Sequence, residues 1–150
     1  MAKTWKDEDI SLDPIKDQTV AVIGYGIQGD AQANNMKDSG LKVIVGLREG
    51  SPTWNKAKDD GHQVMSVSDA TKQADIIHIL LPDMVQAKVY KEEIGPNLSE
   101  GNALSFSHAA AIYWKWIDAP ENVDLIMVAP KGPGSKVRET YLQNFGTPSI

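Results

Sequence analysis

The chain predicts a doubly wound α/β fold, and three observations carry that prediction. Short apolar runs alternate with helix-compatible segments from end to end. The first run, Val20 to Ile23, leads into Gly24, Gly26 and Gly29 in G-x-G-x-x-G spacing, and Ala31 and Ala33 then open a helical segment. A later run, Asp75-Ile-Ile-His-Ile-Leu-Leu81, is almost wholly apolar, as a strand covered on both faces must be. Together these describe a Rossmann-like, mainly parallel sheet with helices on both faces and an expected strand order 3-2-1-4-5-6. At 150 residues the chain has room for one such domain.

In order, the first 18 residues are polar with apolar anchors at Trp5, Ile10, Leu12 and Ile15, and Pro14 discourages a continuous helix. They read as an arm over the domain. The first strand and glycine turn precede a helix from Gln28 to Ser39, closed by Gly40. Leu41 to Leu47 is the second strand, and Arg48 to Trp54 a loop in which Thr53 is placed to cap a helix reaching about Gly61. Val64 to Val67 reads as the third strand, Ser68 to Ala74 as a brief helix and Asp75 to Leu81 as the fourth strand, stopped by Pro82. Met84 to Ile94 is a helix up to Gly95-Pro96, and Ala103 to Ser107 the fifth strand. An alanine-rich helix with Trp114 and Trp116 follows, then Leu125 to Ala129 as the sixth strand and a helix from about Pro133 carrying Val137, Tyr141 and Leu142. The last residues, Phe145 to Ile150, read as the start of another strand, so the chain is expected to be a fragment. Trp54 is expected in the core and Trp116 partly exposed.

A formal charge of -5 without a lysine or arginine run argues against a nucleic-acid partner. The absence of cysteine rules out disulfides, thiolate metal sites and cysteine nucleophiles, and fits a reducing cytoplasm. No apolar run has the length of a membrane span or the pattern of a signal peptide.

In an open parallel sheet, ligands gather beyond the carboxyl ends of the strands. There the first strand delivers the glycine turn: Gly24 permits the turn, Gly26 lets backbone approach a pyrophosphate, and Gly29 lets helix and strand pack closely. The second strand delivers Arg48, Ser51 and Thr53. A guanidinium and two hydroxyls suit the dianionic 2'-phosphate of NADP, whereas NAD recognition calls for an acid at that position. Glu49 dissents and is expected to point to solvent. The fourth strand delivers Asp83 and Gln86, the fifth His108 and the sixth Lys131. An imidazole can exchange protons with an alcohol or enolic oxygen, and a lysine can neutralise a carboxylate or phosphate. His62 falls in a loop and His78 inside a strand, where a hydrogen-bonded core histidine is the simpler reading.

Five segments, Gly24-Tyr-Gly-Ile-Gln-Gly29, Val45-Gly-Leu-Arg-Glu-Gly-Ser51, Leu81-Pro-Asp-Met-Val-Gln86, Phe106-Ser-His108 and Ala129-Pro-Lys-Gly-Pro-Gly134, resemble ketol-acid reductoisomerase in order and spacing, over nearly the whole chain. The resemblance implies an NADPH- and magnesium-dependent enzyme of branched-chain amino-acid synthesis. It would convert 2-acetolactate or 2-aceto-2-hydroxybutyrate by an alkyl shift and reduce the resulting keto acid to a 2,3-dihydroxy acid. It further implies that the turn Gly24, Tyr25, Gly26, Ile27, Gln28 and Gly29 binds the cofactor, with Tyr25 to Gln28 holding the pyrophosphate, and that Arg48, Ser51 and Thr53 hold the 2'-phosphate side. Asp83, Met84, Val85, Gln86 and Gly134 would hold the rest of the cofactor, and His108 and Lys131 would be catalytic. No metal ligand falls in this chain: magnesium would be held by a helical domain beyond it, the full-length protein would be a homo-oligomer, and the 150 residues alone would be inactive.

Some residues depart from that pattern. Ile27 stands where a serine is usual, Asp30 where histidine or arginine is usual, and Ala109-Ala-Ala111 where Gly-Phe-Asn follows the histidine. A carboxylate at Asp30 is unfavourable beside a pyrophosphate unless it turns away or caps the helix. The glycine turn and arginine alone would equally fit another NADP-dependent dehydrogenase or a non-catalytic NAD(P)-sensing module. Ala129 to Gly134 argues against the first, and the pairing of His108 with Lys131 argues against the second.

Overall fold

The computed structural model describes residues 5–150. Six short strands, β1 (Thr19–Ile23), β2 (Lys42–Gly46), β3 (Gln63–Met65), β4 (Ile76–Ile79), β5 (Ala103–Phe106) and β6 (Asp124–Met127), form one sheet in the order β3-β2-β1-β4-β5-β6. Every neighbouring pair is parallel, as the alternating pattern predicts. The connections carry α1 (Ile27–Asp38), α2 (Trp54–Asp59), α3 (Val67–Gln73), α4 (Asp83–Val89), α5 (Ala110–Tyr113) and α6 (Gly134–Leu142). Strand order reverses between β1 and β4, so the connections leaving those two strands diverge and open a crevice at their carboxyl ends.

Side-chain alternation along β1 divides the core into two layers. Ala21 and Ile23 pack with Ile77, Ile79, Leu104 and Phe106 under Val67, Ala70 and Ile94. Val20 and Val22 pack on the other face with Val45, Ala33 and Ala57. Helix α1 can lie close to the sheet because its inward residues, Gly29, Ala31 and Ala33, are small and buried.

The third strand is shorter than its apolar run suggests. Ser66 is the N-cap of α3, its Oγ accepting from the Asp69 amide at 3.1 Å, so Val67 belongs to the helix. The helix after Pro82 continues from α4 into a π turn over Tyr90–Ile94 and a 3-10 turn over Gly95–Asn97. The alanine-rich helix after His108 is only four residues long and ends before Trp114. Because α5 is so short and α6 leans on α1, β6 stays exposed along its length, with Leu125 at 49% and Met127 at 44% exposure. The final residues do pair with the sheet region, but antiparallel: Ala129 and Ile150 exchange backbone hydrogen bonds, and Pro130 bridges Ser149.

In the leading segment Ile15 is half-buried and lines a cavity with Val20, Met36 and Ile76, Ile10 and Leu12 are exposed but line a second cavity with Ser39, Tyr141 and Phe145, and Trp5 is exposed. That part of the expected arm before Trp5 lies outside the described residues. Trp54 is partly buried against the second core layer, and Trp116 is 47% exposed.

Candidate functional site

The glycine turn sits where β1, β2 and β4 meet. Gly24 has φ +99°, its amide donates to the Gly46 carbonyl at 3.1 Å, and a Cβ there would press on the Leu80 carbonyl oxygen at 2.9 Å. Only glycine meets both demands. A Cβ on Gly29 would run into the Gly24 carbonyl, so helix and turn touch backbone to backbone. Gly26 is the N-cap of α1 and offers no side-chain cap, and a Cβ there would meet nothing within 4 Å. The first amide of the helix to find an intrahelical partner is that of Asp30, to Gly26 O at 2.9 Å. The amides of Ile27, Gln28 and Gly29 therefore stand ahead of the ladder at the positive end of the helix, where an anion is favoured.

Beside the turn lies a cleft of about 700 Å3, lined by Gly24, Tyr25, Gly26, Ile27 and Gln28 on one wall and by Leu47, Arg48, Ser51 and Thr53 on a second. Leu80 to Pro82 form its floor, and Val85, Lys88, Val89, Glu92 and Glu93 close the third side. Thr53 is at the N-cap of α2 yet caps no amide with its side chain; its hydroxyl lies 3.2 Å from that of Ser51, so the two hydroxyls form a pair beside Arg48. Arg48 and Glu49 are both exposed.

Asp30 turns away from this cleft. One carboxylate oxygen pairs with Lys56 Nζ at 2.8 Å and the other accepts from Asn34 Nδ2 at 2.8 Å. Lys56 also pairs with Asp60 at 2.8 Å, and Asp60 accepts the Tyr25 hydroxyl at 2.8 Å. The Lys56 ammonium holds the Asp60 carboxyl below its ordinary range, while burial, helped by Asp60, pushes the Tyr25 phenol up. With its ring only 2% exposed, Tyr25 contributes backbone to the cleft and uses its side chain to tie the turn to α2.

A smaller cleft of about 190 Å3 shares Gln28, Leu80 and Leu81 with the first and adds Asp83, Gln86, Ser107, His108 and Pro130. His108 is exposed at the end of β5, with Nδ1 3.5 Å from an Asp83 oxygen and 3.4 Å from the Ala110 amide. The two contacts belong to different protonation states: the first needs a proton on Nδ1, and the second needs its lone pair. Gln86 is buried and donates to the Leu81 carbonyl at 2.8 Å and to Asp83 at 3.2 Å, fixing the start of α4.

Four of the residues singled out in the sequence line neither cleft. Gly29 supports the turn from below, and a Cβ on buried Gly134 would run into the Ile27 carbonyl, so it is where α6 abuts the glycine turn. Met84 is 91% exposed, and Lys131 is an exposed residue whose amide donates to Pro148 O at 2.8 Å. Conversely, Lys88, Glu92 and Glu93 line the large cleft without having been singled out. With Val85 and Val89 they follow the i, i+3, i+4, i+7, i+8 spacing of one helix face, so the stripe through Val85 and Val89 is the signal that could have found them.

The donor set fits a phosphorylated nucleotide: free amides at a helix start, an arginine and two hydroxyls around one cleft. It does not fit a metal, because among the described residues no three His, Asp or Glu side chains come together to hold one. No helix among those residues is long and apolar enough to cross a membrane.

Residues 14–150 match the family described as acetohydroxy acid isomeroreductase, NADPH-binding domain. The ketol-acid reductoisomerase (NADP(+)) of Nitrosopumilus maritimus is 83% identical over 150 residues, all of this chain and 45% of that protein. Its counterpart in Cenarchaeum symbiosum is 75% identical over the same share of each chain. The chain therefore spans less than half the length of these relatives. Among solved structures, an NADH-preferring ketol-acid reductoisomerase from an uncultured archean superposes with a TM-score of 0.93 at 50% identity, covering 95% of this chain and 45% of that one. A semialdehyde dehydrogenase NAD-binding protein from Cupriavidus necator, TM-score 0.68 at 21% identity over 77% of this chain and 42% of its own, shares the fold alone.

Proposed function

The chain belongs to the acetohydroxy acid isomeroreductase family, as its NADPH-binding domain, and from that premise we propose that it is the nucleotide-holding part of a ketol-acid reductoisomerase. The carrying observation is that Arg48, Ser51 and Thr53 line the same cleft as the glycine turn. The amides of Ile27 to Gly29 would hold a pyrophosphate, and the guanidinium and two hydroxyls at the end of β2 would hold a 2'-phosphate. Family membership alone does not choose the nucleotide, since one solved relative prefers NADH; here the choice is argued from Arg48.

The division of labour follows from the geometry. The amides at the start of α1 bind the pyrophosphate, and Arg48 with the Ser51 and Thr53 hydroxyls supplies charge-assisted hydrogen bonds to the 2'-phosphate. When bound, the reduced nicotinamide supplies hydride to a keto acid. Gln28, shared by both clefts, and Asp83 and Gln86 in the smaller one would hold the nicotinamide half. His108 can hold or release a proton there, its Nδ1 alternating between Asp83 and the Ala110 amide. Lys131, beside Pro130, supplies positive charge for a substrate carboxylate. The substrates are 2-acetohydroxy acids, 2-acetolactate or 2-aceto-2-hydroxybutyrate, in branched-chain amino-acid synthesis. Magnesium and the residues holding it belong to the remainder of the protein, which is a cytoplasmic homo-oligomer.

Calorimetric titration with NADPH and NADH tests the nucleotide reading. NADPH is expected to bind tighter by about tenfold, on the order of 1.4 kcal/mol, and Arg48→Ala to abolish the difference. Equal affinities in the unaltered chain would sink the 2'-phosphate assignment.

A further inference from the structure

A run of buried and half-buried polar groups leads from the sheet interior to the glycine turn, and the nucleotide reading leaves it unused. His78 in β4 is paired in register with Ser105 in β5, so both side chains point to the α1 face of the sheet. His78 Nδ1 lies 2.9 Å from the Ser105 hydroxyl, and its Nε2 lies 2.8 Å from Gln32 Oε1. Gln32 Nε2 in turn donates to Gln28 Oε1 at 2.9 Å and to Ser107 Oγ at 3.2 Å. Gln28 Nε2 then donates to the Gly132 carbonyl at 3.0 Å.

We propose that His78 and Gln32 are positioning residues: they orient the Gln28 side chain and thereby lock the loop from Pro130 to Gly134 onto the glycine turn for nucleotide binding. The inference rests on the NADPH-site reading above.

The sense of the whole chain follows from its last member. A backbone carbonyl only accepts, so Gln28 must present its amide to Gly132 and its oxygen to Gln32. Gln32 must then present its amide to Gln28 and its oxygen to His78, which requires the ring proton on Nε2 and leaves Nδ1 to accept the Ser105 hydroxyl. Reversing any one amide sets two acceptors against each other somewhere along the line. Burial keeps the ring neutral, pushing its pKa down to about 4, and the hydrogen bonds on either side select its tautomer. The chain ends where it matters, because Gln28 lines both clefts and Ser107 directly precedes His108. It also determines what Gln28 does: with both ends of its side chain engaged inward, Gln28 meets a phosphate through its backbone amide.

The test is a double-mutant cycle read by NADPH titration. His78→Leu strands the Gln32 oxygen and frees Gln32 to reverse, and is expected to weaken NADPH binding by about threefold to tenfold. His78→Gln, whose amide reaches the place of Nε2, is expected to restore most of that loss. In a Gln28→Ala background His78→Leu is expected to cost nothing further in affinity. A lowered urea midpoint with unchanged affinity, or a loss that persists in full without Gln28, overturns the proposal. If His78→Leu does not fold, Gln32→Glu tests the same link, since a carboxylate still accepts from His78 but cannot donate to Gln28. An independent arm needs no nucleotide: the Gln28 side-chain amide proton resonances are expected to move in His78→Leu and return in His78→Gln, and unmoved resonances overturn the relay. Failure of the unaltered chain to bind NADPH counts against the nucleotide site instead and leaves the resonance arm to decide the relay.

Discussion

Single atoms decide much of the site. At Gly134 a methyl group would overlap the Ile27 carbonyl, so Gly134→Ala must push α6 away from the turn. That substitution is expected to destabilise the fold by about 1–3 kcal/mol in urea unfolding, as overpacking does, and to weaken NADPH binding with it. His78 makes a second prediction. Burial depresses its pKa from the ordinary 6.5 to about 4, and burial also lowers that of His62. Between those values the unfolded chain binds more protons than the folded one, so stability rises with pH through that window and is lost as pH falls. For His78 the slope is at most about 1.4 kcal/mol per pH unit. Urea unfolding at pH 5 and pH 7 should show the gap, and His78→Gln should narrow it. Asp30 illustrates what residue identity alone leaves open: the sequence offers two ways to relieve a carboxylate near phosphate, and Lys56, distant in sequence, selects one of them.

At the scale of elements, caps and backbone geometry set the boundaries. Ser66 both accepts from the Asp69 amide and donates to its carboxylate at 2.8 Å, which starts α3 one residue before the apolar run suggests. Ser66→Ala is expected to cost about 1 kcal/mol of stability in a thermal or urea melt without altering nucleotide affinity. Six strands and six helices were legible because apolar runs, glycine turns and Pro82 punctuate them. The π turn at Tyr90–Ile94 was not, since a local widening of the helix leaves composition untouched. The shortness of α5 was also hidden: three alanines favour a helix, yet the chain turns at Trp114 and Lys115, the latter at φ 55°.

For the whole molecule, strand order places both clefts at the carboxyl ends of the central strands, and this follows from right-handed crossovers on a parallel sheet. The two clefts bring together a donor set that suits a phosphorylated nucleotide and the His108 imidazole beside Asp83, but among the described residues there is no metal-binding cluster. The 150-residue chain is accordingly expected to bind NADPH while showing no magnesium-dependent turnover of 2-acetolactate, measured by loss of NADPH absorbance. Turnover by this chain alone would mean that its own residues complete the site.

By itself the sequence determined the α/β class, the order of the strands, the glycine turn and the cluster of Arg48, Ser51 and Thr53, because these depend on local periodicity and on spacing along one strand-turn-helix unit. Tertiary structure alone decided which polar groups meet across the fold. Asp30 with Lys56, Tyr25 with Asp60, and the line from Ser105 through His78 and Gln32 to Gln28 and Gly132 join residues tens of positions apart. Such contacts depend on register between strands and on how closely α1 approaches the sheet, and neither is written in any one segment.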